Sequence, residues 1–486
     1  MPTAAAATVT PTLPRVGRHY ARRFSGGITP TLARQIIAAG GGRAWFAKQL
    51  YPTKISDPRG DEITTWFPSL KRTPQQIFER QRDDIQGSWE VMADLNRWTV
   101  ARRIHSSRQL HEILVDFWSN LLHVPLGDDV AAFHRVSYDK TIRYYALSSF
   151  EQLLLHSTTH PAMGLFLDNA TSTKAAPNEN LGRELLELHT VGVDAGYTEA
   201  HVKASSRILT GYRSDVWWPS FRTYYDPAAH WTGRIDVLGF SHANTNADGR
   251  AATTAYLKYL AHHPATATRL ARRLCVKFVS DTPSASLVST VASAYRRNGT
   301  KIRPTLIAMV DHPEFIASAG AKVRTPIEDY VATVRALGIS ISKPVDGGSF
   351  VNAMYWQYRD AGQAPYEWPA PNGFPEVNAA WSSAGRVLNS LVVHRDLAAR
   401  WWPTKQAVFP SLTGFLPALP ASLQTVIDHV AVRVVGQKPT ANICEGIATV
   451  LGMKLSDPFT SAKAQEYSAV RRILASLLDS PIHLHR

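Results

Sequence analysis

The sequence predicts an all-α fold class, a large multi-helix globular protein with long aromatic-rich loops and little strand. Apolar residues recur at i, i+3, i+4 and i+7 over most of the chain, which is the period of a helix with one buried side. Several of these segments begin with a Thr or Ser followed by a Pro, a typical helix start. The 486 residues are 44% hydrophobic and 19% charged, so the chain can bury a large core and is not disordered.

The predicted elements follow a short N-terminal arm. Residues 1–14 are small and rich in Thr and Pro, so we expect a flexible arm, with residues 15–486 forming one helical domain that has a possible subdivision near 340–376. The helical periods cover residues 28–37, 44–50, 108–123, 145–156, 199–210, 251–279, 303–311, 326–337, 379–400 and 463–478. Residues 214–240 lack this period and predict a long ordered loop or a small hairpin. Residues 339–376 also lack it, and their aromatic content argues against a floppy linker.

A short pattern recurs where one predicted helix ends and the next begins. A His or Ser precedes a Pro at His160-Pro161, His263-Pro264, His312-Pro313 and Ser480-Pro481. Pro is favoured in the first turn of a helix, and the residue before it can cap the free backbone N–H groups. We therefore interpret these histidines as helix caps rather than metal ligands.

The most informative stretch is residues 177–192, which predicts one helix with two adjacent stripes. Leu181, Leu185 and Leu188 fall on one arc, and a polar arc beside it carries the side chains Asn180, Glu184 and Glu187. Carboxylates beside a buried apolar stripe must be paired, protonated or bound to something. The stretch therefore indicates either an acid/base or metal site, or a structural ion-pair network.

Two interpretations of its charges stay open. Glu179 and Arg183 form an i,i+4 pair in the favourable order, as a structural network requires. Glu184 and Glu187 share a face at i,i+3 and could act as acid and base or bind one divalent metal ion. Asp168 ends the preceding helix and could complete a carboxylate metal site with them, or it could be a polar turn residue.

Residues 214–240, which we call the aromatic stretch, supply further candidate site residues. His230 lies four residues after Asp226, a spacing that suits a carbohydrate or metal site as well as a capping histidine. Trp217, Trp218 and Tyr225 could stack on a sugar or another planar group. On the helix at 108–123, Asp116, Asn120 and His123 share one side, for which a polar outer face is the favoured interpretation.

These motifs closely resemble the bacterial family catalogued as domain of unknown function 1800. The resemblance rests on Asp116-Phe117-Trp118-Ser119-Asn120, His160-Pro161-Ala162-Met163, Leu167-Asp168-Asn169-Ala170, Asn178-Glu179-Asn180, Arg183 to Thr190, Gly196-Tyr197-Thr198, Leu209-Thr210-Gly211-Tyr212, His263-Pro264-Ala265, and Asn372-Gly373-Phe374-Pro375 with Trp381. It covers roughly residues 15–486. It implies a mostly helical bacterial protein of no settled activity, often exported and often encoded beside an alkaline-phosphatase-like family, which would be a partner protein.

Composition narrows the classes of partner and compartment. Lys and Arg number 53 against 39 acids, a net charge of +14, which favours an anionic or glycan-like ligand. No dense basic tract is interleaved with aromatics, so nucleic-acid binding is disfavoured. No signal peptide and no transmembrane run are expected from the sequence as written, although relatives are often exported. The two cysteines, Cys275 and Cys444, make neither a disulfide framework nor a zinc spacing.

The functional prediction has two branches. The first is an enzyme of hydrolase or lyase type, with or without a divalent metal ion, in which Glu184, Glu187, Arg183 and His230 act on an anionic or glycan-like substrate. The second is a non-catalytic assembly or export partner of another protein. The first requires these residues to converge at one open pocket, whereas the second requires carboxylates neutralised by Arg and an exposed aromatic patch.

Overall fold

The computed structural model describes residues 11–215 and 222–486, and 60% of the chain is helical. Within these ranges the longer helices are α1 (Arg15–Phe24), α2 (Pro30–Ala38), α3 (Gly42–Gln49), α4 (Pro58–Thr65), α5 (Pro74–Arg82), α6 (Ser88–His105), α7 (Gln109–Leu121), α8 (Ala132–Tyr145), α9 (Phe150–Thr158), α10 (Pro161–Phe166), α11 (Asn180–Glu184), α12 (Glu199–Ile208), α13 (Arg250–His262), α14 (Pro264–Phe278), α15 (Ala285–Arg297), α16 (Ile302–Val310), α17 (Pro313–Ala317), α18 (Pro326–Ala336), α19 (Phe350–Asp360), α20 (Ala384–Ala399), α21 (Leu423–Val435), α22 (Ala441–Leu451), α23 (Ser461–Gln465), α24 (Ala469–Leu478) and α25 (Pro481–Leu484). A π-helical turn, Leu185–His189, continues α11. The predicted all-α fold class is confirmed.

Strands in the described residues occur as four short antiparallel pairs. They are β1 (Tyr212–Ser214), β2 (Thr223–Tyr225), β3 (Ile235–Val237), β4 (Phe240–His242), β5 (Ser340–Ile341), β6 (Ala407–Val408), β7 (Ala421–Ser422) and β8 (Pro458–Phe459), paired in the order given. The first two pairs fall in the aromatic stretch, where Tyr212 faces Tyr225 and Ile235 faces His242. The small hairpin that is one of the two predictions for this stretch is therefore present, in the form of two separate antiparallel strand pairs. No helix of the described residues has the length and apolarity needed to cross a membrane.

The helix starts predicted from His-Pro pairs are confirmed. Nδ1 of His160 accepts a hydrogen bond from the backbone N–H of Ala162, and His263 and His312 cap α14 and α17 in the same way. Each ring nitrogen satisfies a backbone donor that the first helical turn leaves free. The pattern also explains why the predicted helix at 251–279 is two helices, since it breaks at His263.

The apolar residues form two buried clusters. The first is built mainly from α1–α3 and α7–α17, and the second mainly from α4–α6 and α18–α24. Helix α8 contributes to both, with Tyr138 in the first cluster and Phe133 in the second. Leu13, within the predicted N-terminal arm, is 1% exposed and belongs to the first cluster. The arm and the division near 340–376 otherwise stay predictions.

A buried ion network joins α6, α7 and α8. The Glu112 carboxylate accepts hydrogen bonds from Nε of Arg102 at 2.8 Å and Nη1 of Arg143 at 2.7 Å. Arg143 also bonds to Asp139 at 2.7 Å, and Arg102 lies 3.4 Å from Asp57. We call these five residues the Glu112 network. Burial alone would raise the pKa of Glu112, but the charges of Arg102 and Arg143 outweigh burial and hold it well below its usual range.

Buried cations outnumber buried carboxylates in the described residues. The nine cations are Arg23, Arg102, Arg103, Arg135, Lys277, Lys322, Arg324, Arg386 and Arg486, and the five carboxylates are Asp57, Glu112, Asp139, Asp329 and Asp396. Several of these guanidinium groups donate to backbone carbonyls. Arg23 bonds to the oxygens of Val279 and Ser318, at 3.1 and 2.7 Å. Nine of the 53 Lys and Arg side chains are therefore part of the interior.

The polar outer face predicted for the helix at 108–123 is wrong. His123 is 1% exposed, and its Nε2 lies 2.6 Å from the backbone oxygen of Trp368. The Asn120 amide bonds to both the backbone N–H and the carbonyl of Phe374, at 2.7 and 2.8 Å. These side chains hold the aromatic loop that follows α19 against α7. Their polar atoms form hydrogen bonds with backbone groups of that distant segment.

Candidate functional site

The predicted Glu-rich helix is formed by α11 and the π turn, which together we call the Glu helix. Leu181 and Leu185 are 1% and 0% exposed, as the predicted stripe requires. The π turn changes the register, so that Leu186 and His189 are also fully buried while Leu188 is only partly covered. The predicted single helix over 177–192 is therefore shorter and irregular.

Close packing fixes the Glu helix at its start. A Cβ on Gly182 would lie 2.2 Å from Oγ of Ser206 on α12, so only glycine fits at this crossing. The Ser205 hydroxyl donates to the carbonyl oxygen of Gly182 at 3.0 Å. The Thr190 hydroxyl bonds to the Leu185 oxygen at 2.6 Å and satisfies a carbonyl of the π turn. The polar side of this helix is thus presented by a rigid backbone.

The polar side is an ion cluster around Arg183, which we call the Arg183 cluster. Nη2 of Arg183 lies 2.7 Å from Glu199 and 3.3 Å from Glu179, and Nη1 lies 3.8 Å from Glu187. The predicted pairing of Glu179 with Arg183 is confirmed. The Arg183 side chain is 33% exposed and that of Glu199 is 67% exposed, so the cluster borders solvent. One cation therefore faces three carboxylates.

Glu184 lies beside this cluster and differs from it. Within the described residues no cation approaches its carboxylate within 4.0 Å. Partial burial and then the negative charge of Glu187 raise the pKa of Glu184, against a smaller opposing effect of Arg183. A hydrogen bond joins the phenol of Tyr197 to Glu187, and burial together with this bond raises the pKa of Tyr197 to about 12. Glu184 and Glu187 thus form two neighbouring carboxyl groups with different environments.

Asp168 and Asn180 lie side by side, although they are 12 residues apart in the chain. Nδ2 of Asn180 donates to Oδ2 of Asp168 at 2.8 Å, and Asp168 has a positive φ of 59°. Among the described residues, one set of three ligand-type side chains has its ligand atoms within 4.8 Å of one another, and it is Asp329, His394 and His483. A metal role for Asp168, Glu184 and Glu187 stays a prediction.

His230 is held by the hairpins rather than by the Glu helix. Its Nδ1 lies 2.9 Å from the carbonyl oxygen of Thr210, and its Nε2 lies 3.0 Å from Oδ1 of Asn244. Both ring nitrogens therefore have partners, and the ring is 1% exposed. The Tyr225 hydroxyl accepts from the backbone N–H of Gly249 at 2.8 Å. Trp217 and Trp218 lie outside the described residues.

A separate open cleft of about 760 Å³ lies where the two clusters meet, and we call it the Arg34 cleft. It is lined by the α2–α3 region, the end of α6, the end of α18, the segment 410–414 and α21. Its charged and titratable lining residues are Arg34, Arg335, Arg433 and His105, with no carboxylate among them. Hydroxyl groups line it at Thr31, Ser107, Ser340 and Ser411, and Trp45 contributes an aromatic ring.

The cleft is electrostatically positive. Burial lowers the pKa of Arg335 to about 10 and lowers that of Arg433, yet both groups stay charged at neutral pH. Burial, Arg59 and Arg335 together lower the pKa of His105 to about 3, so its imidazole is neutral. Nε2 of His105 accepts from the backbone N–H of Ile341 at 3.3 Å. Sequence reasoning missed these residues because they come from five distant segments, and only the net charge hinted at them.

Comparison with known sequences identifies one family. The family described as "Protein of unknown function (DUF1800)" matches residues 19–483. No curated protein and no solved structure matches the chain. The family resemblance expected from the motifs is confirmed over nearly the whole chain.

Proposed function

This chain belongs to the DUF1800 family, whose description assigns no activity, and from the geometry we propose that it binds an anionic, glycan-like ligand in the Arg34 cleft. The single observation that carries this proposal is the composition of the lining, which holds three arginines and no carboxylate. A cavity of this size accommodates a molecule of a few sugar units. The exposed Arg34 suits carboxylate, sulfate and phosphate groups because its planar fork can donate two parallel hydrogen bonds. Arg335 and Arg433 already donate to the backbone oxygens of Ile104 and Gly414, so they contribute mainly positive charge.

The hydroxyl groups of the cleft support a saccharide rather than a bare anion. Thr31, Ser340 and Ser411 are exposed and can donate to or accept from sugar hydroxyls. Polar and apolar atoms contribute about equally to the lining, which suits a sugar ring with its hydroxyl groups and apolar faces. The excess positive charge of the chain would raise the rate at which an acidic ligand arrives.

A hydrolase or lyase activity would belong to a second site at the Glu helix, because Glu184 and Glu187 are not among the residues that line the Arg34 cleft. It would use Glu184 and Glu187, because a carboxyl group with a raised pKa beside a second carboxyl group is suited to acid/base chemistry. Arg183 would then hold the charge of Glu187 or of the substrate. His230 contributes less to this activity than its sequence position suggested, since both of its nitrogens already have partners.

The alternative is a non-catalytic partner protein, and one observation favours it. On α20, Leu388 is 61% exposed and Val392 is 46% exposed, and they lie one helical turn apart. Trp401 is 68% exposed just beyond the end of α20, with the Arg395 guanidinium 5.6 Å from its ring centre. An exposed apolar stripe with stacked arginine is typical of a protein contact surface.

Calorimetric titration of the full chain tests the binding proposal. The probes are a heparin-derived tetrasaccharide, a neutral tetrasaccharide of glucose, and sodium sulfate. We expect measurable binding of the acidic tetrasaccharide and weaker or no binding of the other two. Arg34→Gln combined with Arg433→Gln should weaken binding about 10- to 100-fold, the usual effect of losing charge-assisted hydrogen bonds.

The matched control is Arg296→Gln combined with Arg297→Gln, which also removes two arginines, both exposed at the end of α15 and outside the cleft. It should leave the affinity unchanged apart from a small effect of net charge. Equal loss in the control and the cleft variant would attribute binding to overall charge and contradict the proposal. Equal affinity for the neutral tetrasaccharide would also contradict it, because the arginines would then contribute nothing.

A further inference from the structure

We propose that Asp329, His394 and His483 form a binding site for one transition-metal ion of the zinc type. The three residues come from α18, α20 and α25, which are far apart in the sequence. All three are buried, at 2%, 0% and 4% exposure, and their ligand atoms lie within 4.8 Å of one another. The site is separate from the Arg34 cleft, and the proposal does not depend on the function proposed for the cleft.

The spacing of the three side chains is that of metal ligands. Oδ1 of Asp329 lies 3.3 Å from Nε2 of His394 and 3.3 Å from Nε2 of His483. Ligand atoms in a tetrahedral zinc site, with bonds of about 2.0–2.1 Å, are about 3.3 Å apart. Two imidazole nitrogens and one carboxylate oxygen are also a donor set that zinc accepts.

A second layer of contacts orients the ligands. Nδ1 of His394 lies 2.8 Å from Oδ1 of Asp479, so this carboxylate can hold the proton on Nδ1 and leave Nε2 free to bind a metal. The other oxygen of Asp329, Oδ2, accepts from the Ser390 hydroxyl at 2.7 Å and lies 3.4 Å from Nη2 of Arg386. Asp329 is thereby turned with Oδ1 toward both imidazoles.

A hydroxyl group also lies beside the site. The hydroxyl of Thr333, one turn after Asp329 on α18, lies 3.0 Å from Nε2 of His483. The carbonyl oxygen of His483 accepts from Nε of Arg324 at 2.8 Å, which holds the backbone of α25 in place. Asp329 and Asp479 supply two negative charges beside the position of the ion, and Arg386 offsets part of the charge of Asp329.

The competing arrangement contains no metal. Protons on the two Nε2 atoms would then make hydrogen bonds to Asp329, and His394 would carry a proton on both nitrogens between Asp329 and Asp479. The two arrangements use the same side chains and differ in one measurable quantity, which is the metal content of the folded chain.

The test is metal analysis of the full chain, produced without an affinity tag of histidines and dialysed first against a chelator and then against zinc chloride. We expect one zinc ion per chain by mass spectrometry, and an increase in the unfolding temperature when zinc is added. Asp329→Asn and His394→Gln should each abolish this ion. His262→Gln is the matched control, because His262 pairs with Glu151 at 2.7 Å on the surface and should leave the zinc content unchanged.

Several outcomes would overturn the proposal. A folded wild-type chain that takes up no zinc and shows no change in unfolding temperature would favour the hydrogen-bonded arrangement. Zinc that persists in both Asp329→Asn and His394→Gln, or that disappears in His262→Gln, would place the ion elsewhere. If the two interior variants do not fold, as circular dichroism would show, the wild-type measurement decides alone.

Discussion

The Glu112 network and the Arg183 cluster are built from the same two kinds of side chain in opposite surroundings. In the Glu112 network one carboxylate, 1% exposed, lies between arginines from α6 and α8. In the Arg183 cluster one arginine, 33% exposed, lies among carboxylates that are 26–67% exposed. The comparison teaches that ion pairing alone says little about stability, because water competes for the second cluster and not for the first.

The largest expected effect tests whether the helix that carries the Arg183 cluster is itself anchored in the core. Leu185, next to Glu184, is 0% exposed. Leu185→Asp would bury an unpaired charge in an apolar cluster and should cost more than about 4 kcal/mol in the free energy of unfolding. Urea denaturation or loss of soluble protein would show it. A variant that unfolds like the wild type would mean that the Glu helix is not structurally central.

The second prediction compares one carboxylate from each region. Glu112→Gln leaves Arg102 and Arg143 without their shared charge partner in the interior, and should cost about 3–5 kcal/mol. Glu199→Gln removes the most exposed carboxylate of the Arg183 cluster, and should cost less than about 1 kcal/mol. Denaturation of both variants measures the difference directly. Similar losses would show that burial does not separate the two regions.

The third prediction uses pH to isolate Glu112. Its pKa is lower in the folded protein than the unfolded value of 4.5, so its ionised form stabilises the fold above pH 4.5 and this contribution is lost as the pH falls. The stability difference between wild type and Glu112→Gln should therefore shrink below pH 4.5, by about 1.4 kcal/mol per pH unit. Urea denaturation between pH 7 and about pH 3 measures it. A difference that stays constant would contradict the assignment.

The smallest effect is expected for Glu184, and its contribution to stability changes with pH in the direction opposite to that of Glu112. Because the folded pKa of Glu184 is raised, its ionised form opposes folding at neutral pH, and the wild type gains relative stability as the pH falls toward the unfolded value. Glu184→Gln should therefore leave the unfolding temperature equal or slightly higher at pH 7. Loss of binding or activity with this unchanged stability would support a functional Glu184. A clear drop in stability would instead assign it to a structural network.

Local features of the sequence predicted local features of the structure. The His-Pro pairs correctly marked the starts of α10, α14 and α17, since a cap and the first turn are adjacent in the chain. The Leu181 and Leu185 stripe and the pairing of Glu179 with Arg183 also follow from helical spacing alone. The π turn after Glu184 was not predictable in this way, because no residue of the stretch marks a change of register.

Features that depend on distant segments were not predicted. The partners of Glu112 lie 10 residues before it and 31 residues after it, and that spacing does not predict a salt bridge. Asp329 and His483 are 154 residues apart, and the Arg34 cleft joins segments from Thr29 to Arg433. His123 looked like part of an outer face because the loop that covers it lies some 245 residues later in the chain.

The surplus of buried cations bears on how the protein behaves as a polyelectrolyte. Nine buried cations against five buried carboxylates leave an excess of four positive charges among the fully buried side chains of the described residues, with histidines counted as neutral. These charges still count in the net charge of +14, so burial does not change the electrophoretic mobility. Burial changes the response to salt, because dissolved ions screen exposed charges and reach buried ones much less. Added salt should therefore weaken the interior ion pairs much less than the exposed pairs of the Arg183 cluster.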